Sequence, residues 1–272
     1  MKINKHLTIA SLALLSTLFI SSCEKDDDGQ VSNNTGNATV KFNLTDAPAS
    51  YDAVYIDVLE VKVHVSNSGD TSNADGWITL PNTRPGIYNL LDFQNGIDTL
   101  IASGDVPAGK VSQIRLILGP QNSVVVNGVS EPLKTPSAQQ SGLKLKVNYT
   151  LQAGIVYEFW LDFDASRSIV AKGNGGYNLK PIIRVFTKNT TGSIDGYVSP
   201  IAAFSSVLAY NAAGDSAAAL TNPVSGYFLI SGLDPASYTV EFDPISPYMT
   251  TDTMGVNVAT GIVTHLDTIR IN

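Results

Sequence analysis

A single cysteine, Cys23, stands among 272 residues, so no disulfide forms within the chain and its cores must hold without one. Histidine is almost as scarce. His6, His64 and His265 are too far apart in the chain for any two to share metal-ligand spacing, and no Asp-x-Asp-x-Asp-Gly calcium loop occurs. There is no Gly-x-Ser-x-Gly elbow and no phosphate-cradling glycine loop, and no cofactor is expected. Positive charge is in short supply: 17 basic against 24 acidic residues leave a net charge of −7. That balance argues against nucleic acid or an anionic surface as the main partner, because phosphate binding needs clustered Lys and Arg. Beyond the N-terminus no apolar run approaches the roughly 20 residues that cross a bilayer as a helix.

What is present begins with a three-part leader. Lys2 and Lys5 precede a mostly apolar stretch over 7–20, which ends in Ile20-Ser21-Ser22-Cys23. This ending resembles the bacterial lipobox. The resemblance implies cleavage after residue 22, lipid on Cys23 and attachment of the chain to a membrane through that lipid. Removing 1–22 takes away two lysines and no acids, which brings the net charge to −9. The next residues, Glu24-Lys25-Asp26-Asp27-Asp28-Gly29, resemble the export signal of surface-exposed lipoproteins, with Lys25, Asp26, Asp27 and Asp28 as its charged core. A solvated acidic linker has the same composition. Residues 23–37 thus read as a lipidated, acidic stalk, and the expected location is the outer membrane, facing outward.

Beyond the stalk nearly every apolar segment alternates. Val40, Phe42 and Leu44 share one face of a half-buried strand, and Thr39, Lys41 and Asn43 share the other. Val54, Ile56 and Val58 begin a second strand, but Leu59, Val61, Val63 and Val65 continue it with the opposite parity. A β-bulge between Val58 and Leu59 would return both halves to one core. Further strands are expected at 113–118, 123–126, 143–150, 155–163 and 182–187, with a hairpin turn at Asn127-Gly128 and a short helical turn over 96–103. Residues 188–191 read as a linker. Another set of strands follows at 193–198, 206–211, 227–230, 238–242, 255–258 and 262–271. Many short strands between Gly and Pro turns indicate an all-β chain of two sandwiches in series, not a βαβ fold.

Two resemblances refine this division. Gly226-Tyr227-Phe228-Leu229-Ile230-Ser231-Gly232-Leu233-Asp234-Pro235-Ala236-Ser237-Tyr238-Thr239-Val240, preceded by Gly192-Ser193-Ile194-Asp195-Gly196, resembles the carboxypeptidase-regulatory-like, or transthyretin-like, domains. The family usually has glycine where Ala236 stands. The resemblance implies a prealbumin-type sandwich without catalysis over 192–272, in a group of carbohydrate-binding-like folds. Residues 38–187 resemble a domain-of-unknown-function family, number 4382, found in bacterial lipoproteins. The matching pieces include Leu44-Thr45-Asp46-Ala47-Pro48, Gln113-Ile114-Arg115-Leu116, Thr135-Pro136-Ser137, Ser141-Gly142-Leu143-Lys144, Leu161-Asp162-Phe163-Asp164-Ala165 and Leu179-Lys180-Pro181-Ile182-Ile183-Arg184. That family implies no activity.

One strand carries candidate chemistry. Over 155–164, Ile155, Tyr157, Phe159, Leu161 and Phe163 share the core parity, which leaves Glu158, Trp160, Asp162 and Asp164 on the other face. A tryptophan flanked by carboxylates could stack a sugar ring and accept its hydroxyls. The same residues could equally form a structural network, with Asp162 or Asp164 paired to Arg115, Lys144 or Arg184. Hydrolysis by two of these acids needs an apolar pocket to raise one pKa, and the sequence shows none. His64, beside Lys62 on a polar strand face, reads as a surface histidine. The sequence therefore points to a non-enzymatic surface module with a glycan or another envelope protein as its partner.

Overall fold

The computed structural model describes residues 36–47, 49–66, 76–135, 142–173 and 175–272. Cys23, the Lys25 to Asp28 acidic run, and Pro48, Pro136, Ser137 and Ser141 of the quoted motifs lie outside the described residues. The fold is all-β, as the alternation requires, and its strands gather around two separate cores.

The first core lies between two sheets. One has the order β13-β10-β1-β5, from β1 (Asn37–Ala47), β5 (Thr99–Pro107), β10 (Val156–Asp164) and β13 (Ile183–Phe186). The other has the order β11-β12-β8-β7-β2-β6-β9, from β2 (Ala53–Ser66), β6 (Gly109–Leu118), β7 (Ser123–Val126), β8 (Val129–Lys134), β9 (Leu143–Leu151), β11 (Ile169–Ala171) and β12 (Tyr177–Leu179). Two short strands, β3 (Trp77–Thr79) and β4 (Gly86–Asn89), pair with β2 outside this path. Phe42 and Phe159 stack at 5.2 Å between ring centroids, and Tyr149 of the opposite sheet meets Phe159 at 5.0 Å. Burial of Phe42, Phe159 and Phe163 stabilises the core by about 1.5–3 kcal/mol each.

The bulge in β2 forms where the parity switches. Val58 faces Leu118 and Glu60 faces Ile117, so Leu59 is the extra residue and turns outward, 40% exposed, while Val58, Val61 and Val63 are buried. Leu59 therefore does not join the inward set, because the unpaired residue of a bulge is the one that leaves the ladder. Asn127 (φ 51°) and Gly128 (φ 74°) make the hairpin turn, closed by Gly128 N–H donating to Asp52 Oδ2 at 2.7 Å.

The helical turn expected over 96–103 is not there. Residues from Thr99 onward enter β5 and pair antiparallel with β1, and the 3₁₀ turn lies earlier, at Leu90–Phe93. A free edge of β1 outcompetes the weak local helical pattern. Asn37 is already paired in β1 opposite Pro107, so the sheet begins one residue inside the expected stalk.

The second core lies between the sheets β17-β14-β20, with β21 also on β14, and β16-β15-β18-β19. These strands are β14 (Gly192–Ser199), β15 (Ser205–Tyr210), β16 (Ser216–Leu220), β17 (Tyr227–Leu233), β18 (Ser237–Pro244), β19 (Thr251–Asn257), β20 (Val263–His265) and β21 (Ile269–Arg270). Phe228 and Phe242 meet edge-on across it at 5.5 Å. The strand expected over 262–271 is interrupted after His265, and β16 is an additional strand.

Between the cores, residues 188–191 make a closed turn. Thr187 O accepts from Thr190 N and from Thr191 Oγ1 at 2.8 Å, and Thr187 and Thr191 are buried. Contacts across this turn place both sandwiches in one compact unit, Asn34–Asn272.

Candidate functional site

Strand β10 runs beside β1 in parallel register and beside β13 in antiparallel register, with Trp160 opposite Phe186 and Asp162 opposite Arg184. Side chains directly opposite on adjacent strands share a face. Trp160, Asp162, Phe186 and Arg184 therefore project together from the outer face of the first sandwich. The second sandwich covers that face.

Trp160 is 7% exposed. Its ring stacks on Phe186 at 6.0 Å, its Nε1–H donates to Asp98 Oδ2 at 2.7 Å, and Lys188 Nζ sits 4.2 Å from its centroid. Both the stacking partner and the polar handle of the indole are thus satisfied within the protein. Asp162 is buried and accepts from Arg184 Nε at 3.0 Å and from Nη2. The same guanidinium donates to Gly232 O and Ser231 O, both at 3.1 Å, on β17 of the second sandwich. Arg184 thereby ties a carboxylate of one sandwich to the backbone of the other. Gly232, at φ 71°, packs so closely on Phe186 that a Cβ there would lie 2.5 Å from the ring. Nearby, Leu229 seats against Gly96 in the same way, and its N–H donates to Asn95 Oδ1 at 3.4 Å.

Asp164 has a different task. Its Oδ1 accepts from Arg167 N at 2.9 Å and Ser166 Oγ at 2.8 Å, which caps the one-turn helix α1 (Ala165–Ser168), and it pairs with the Arg167 side chain. So the strand brings Trp160 and Asp162 into the joint and leaves Asp164 at its rim. Of the three cations that could pair with these acids, Arg184 does so, and Arg115 and Lys144 lie on the other sheet.

A buried acid beside the joint escaped the sequence reading. Asp46 has the parity of Val40, Phe42 and Leu44 and stands opposite Phe163, a core slot. Its Oδ1 accepts from Ala165 N at 3.1 Å, and Oδ2 is buried with no hydrogen-bond partner among the described residues. Burial pushes this carboxyl well above its ordinary value of 3.8, and Asp162 pushes it further; the Ala165 N–H and the Gln94 side chain pull the other way and lose. With a raised pKa the native state holds a proton that the unfolded chain releases from about pH 4 upward, so the Asp46 contribution to stability falls as pH rises through that range. Asp46→Asn is expected to raise the thermal midpoint, by more at pH 8 than at pH 4. Melts across that range check it, and a constant difference would refute the assignment.

The two histidines of the described chain lie on different sandwiches, His64 on β2 and His265 on β20, and Asp195, the partner of His265, stands opposite Leu229 of the joint. His64 Nδ1 lies 3.1 Å from Ser112 Oγ on the outer face of β2. His265 Nδ1 lies 2.6 Å from Asp195 Oδ1, whose other oxygen accepts from Tyr227 Oη at 3.2 Å. Burial first, and then Asp195, push the Tyr227 hydroxyl up to about 12. Tyr227 meets Tyr197, 47% exposed, at 5.4 Å. Among the described residues no group of three His, Cys, Asp or Glu could hold a metal ion, and no helix is long and apolar enough to cross a membrane.

The family model for "Domain of unknown function (DUF4382)" matches residues 37–181, more than half of the chain. The chain belongs to this family. The family's match covers the first sandwich up to the start of β13 and supplies no residue roles. No curated protein matches the chain. Solved structures with some likeness include the TIE protein of Bacillus anthracis, with 10% identity and a TM-score of 0.24 over 87% of this chain. This chain spans about a third of that one, 34%. The minor pilin GBS52 of Streptococcus agalactiae has 11% identity and a TM-score of 0.24, with 87% of this chain and 95% of that one covered. The shaft pilin SpaA of Lactobacillus rhamnosus GG has 12% identity and a TM-score of 0.22, with 87% and 96% covered. Scores this low carry no argument about function.

Proposed function

We propose that this DUF4382 protein is a non-enzymatic, lipid-anchored module of the outer envelope that holds two sandwiches to solvent as one rigid display unit. The observation that carries this reading is the joint itself. Of the side chains with the best catalytic or stacking chemistry, Asp162 is used through Arg184 to hold the second sandwich, and Trp160 is closed off by Asp98 and Phe186, the ring on which Gly232 packs. The lipobox ending at Cys23 supports the anchor, and the Lys25 to Asp28 run supports outward exposure. The sheet pair β17-β14-β20 and β16-β15-β18-β19, with the Gly226 to Val240 motif along β17 and β18, supports a carboxypeptidase-regulatory-like identity for 192–272.

Cys23→Ser should move the protein from the detergent phase to the aqueous phase, because acyl chains supply about 0.8 kcal/mol of membrane affinity per buried methylene. Retention of the variant in detergent would place the anchor elsewhere.

A second reading, glycan binding, is favoured by a specific surface. Tyr197 and Tyr227 form a solvent-facing aromatic pair beside Asp195. A glycan array run on the wild-type chain and on Tyr197→Ala tests it. Signals that vanish in the variant support this face, and an empty array removes it.

A further inference from the structure

The outer face of the larger sheet contradicts the charge of the chain as a whole. Lys62 of β2 stands opposite Arg115 of β6, and Arg115 stands opposite Lys144 of β9. Direct cross-strand partners project to one side, so three cations form a row over three hydrogen-bonded strands, about 10 Å from end to end at the usual strand spacing. The next row holds His64, Gln113 and Lys146. The buried alternates Val61, Val63, Ile114, Leu116 and Leu145 fix this face as the solvent side. Among the described residues Glu60, 3.0 Å from Lys62, is the acid paired into these rows. Among the described residues Arg115, Lys144 and Lys146 have no ion pair.

Like charges directly opposite each other on a sheet repel and weaken it. An anion lying across the row would relieve that repulsion. Arg115 is held for such a contact: its Cζ sits 3.8 Å over the Trp77 ring, which His64 meets edge-on at 5.2 Å. Its Nε is buried without a hydrogen-bond partner among the described residues, and stacking fixes the plane of the guanidinium, whose terminal Nη groups form a fork that matches a carboxylate.

We propose that this face binds an acidic polysaccharide, with its carboxylates on Arg115, Lys144 and Lys146. The proposal goes beyond the display reading and uses neither the anchor nor the Tyr197 surface. A flat sheet face with charges spaced along a line suits an extended polymer. A bilayer fits less well, since the rows carry no exposed apolar side chain to enter it. Nucleic acid fits less well too, because the Trp77 ring beside the rows already carries Arg115 where a base would stack.

The test is calorimetry of the whole Cys23→Ser chain with polygalacturonate. Dextran, phosphatidylglycerol vesicles and a single-stranded DNA oligonucleotide serve as the other probes. Binding to polygalacturonate is expected, weakening between about 50 and 200 mM salt as screening grows. The exposed pair Lys144→Gln with Lys146→Gln should weaken it about tenfold, the sum of two surface charge contacts, without moving the thermal midpoint. Arg115→Lys should weaken it as well, because a point charge cannot replace the fork. Tyr197→Ala should leave it intact, which separates this face from the glycan surface of the second sandwich. No polygalacturonate binding, equal binding by the double variant, or tighter binding to the vesicles or the DNA would each overturn the proposal.

Discussion

Trp160→Ala is expected to lower folding stability by about 3–5 kcal/mol, the range for truncating a buried aromatic side chain. The ring is 7% exposed, stacked on Phe186 and hydrogen-bonded to Asp98, so the variant loses a large apolar contact and leaves a carboxylate without its donor. A urea melt reads the loss directly. Because the indole backs Phe186, on which Gly232 of the second sandwich packs, the effect should come with faster proteolysis at the joint. Saccharides should not quench wild-type Trp160 fluorescence, since the stacking face a sugar would need already holds Phe186. A small change in midpoint together with saccharide quenching would overturn the joint and restore an open binding face at this strand.

Arg184→Ala should cost about 3 kcal/mol, near the lower end for breaking a buried ion pair because the guanidinium is partly open to water. The reason lies with the partner left behind. Asp162 stays buried without a counter-ion, and Ser231 O and Gly232 O each lose a charged donor. Adding Asp162→Asn should recover part of the loss, and the double-mutant cycle isolates the pair. Scanning calorimetry should show a second signature. The wild type is expected to melt in one transition, since the cores are coupled through Arg184 and the Phe186–Gly232 contact, and Arg184→Ala in two. A single unshifted transition in the variant would show that the joint does not depend on this residue.

Much of the fold was legible because one physical rule, alternation on a half-buried strand, applies wherever β-branched and aromatic residues supply the signal. Val40, Phe42 and Leu44 in β1 and Phe159, Leu161 and Phe163 in β10 obey it, and the parity switch after Val58 located a bulge. Where the signal was weak, strands went unseen. β16 is Ser-Ala-Ala-Ala-Leu, and alanine does not favour strand on its own; β5 was hidden by Gly104 and the small residues around it. Their pairing comes from neighbouring edges, which a linear pattern does not contain.

The candidate site was legible as a face but not as an interface. Alternation grouped Trp160, Asp162 and Asp164 and included Arg184 among three candidate partners. What covers them is set by Ser231, Gly232 and Leu229, which lie about 70 residues further along and pack through backbone carbonyls and glycine gaps. Asp46 did leave a trace, an acid at the parity of Leu44, and that irregularity is the sequence signal for its burial. The basic row is invisible to net charge, because register, not composition, brings Lys62, Arg115 and Lys144 together.

Strand β1 has a mechanical consequence. It lies inside its sheet, antiparallel to β5 on one side and parallel to β10 on the other, with pairs running from Thr39–Val156 to Ala47–Asp164. A pull on the N-terminal segment acts along this strand, so its hydrogen bonds to both neighbours are loaded in shear and must yield together rather than one at a time. Resistance to such a pull is a matter of unfolding rate rather than equilibrium stability. The same arrangement delays assembly, because β1 cannot complete its sheet until β10, more than 100 residues later, is available. A chain built this way closes late and, held by its first strand, should come apart slowly under tension.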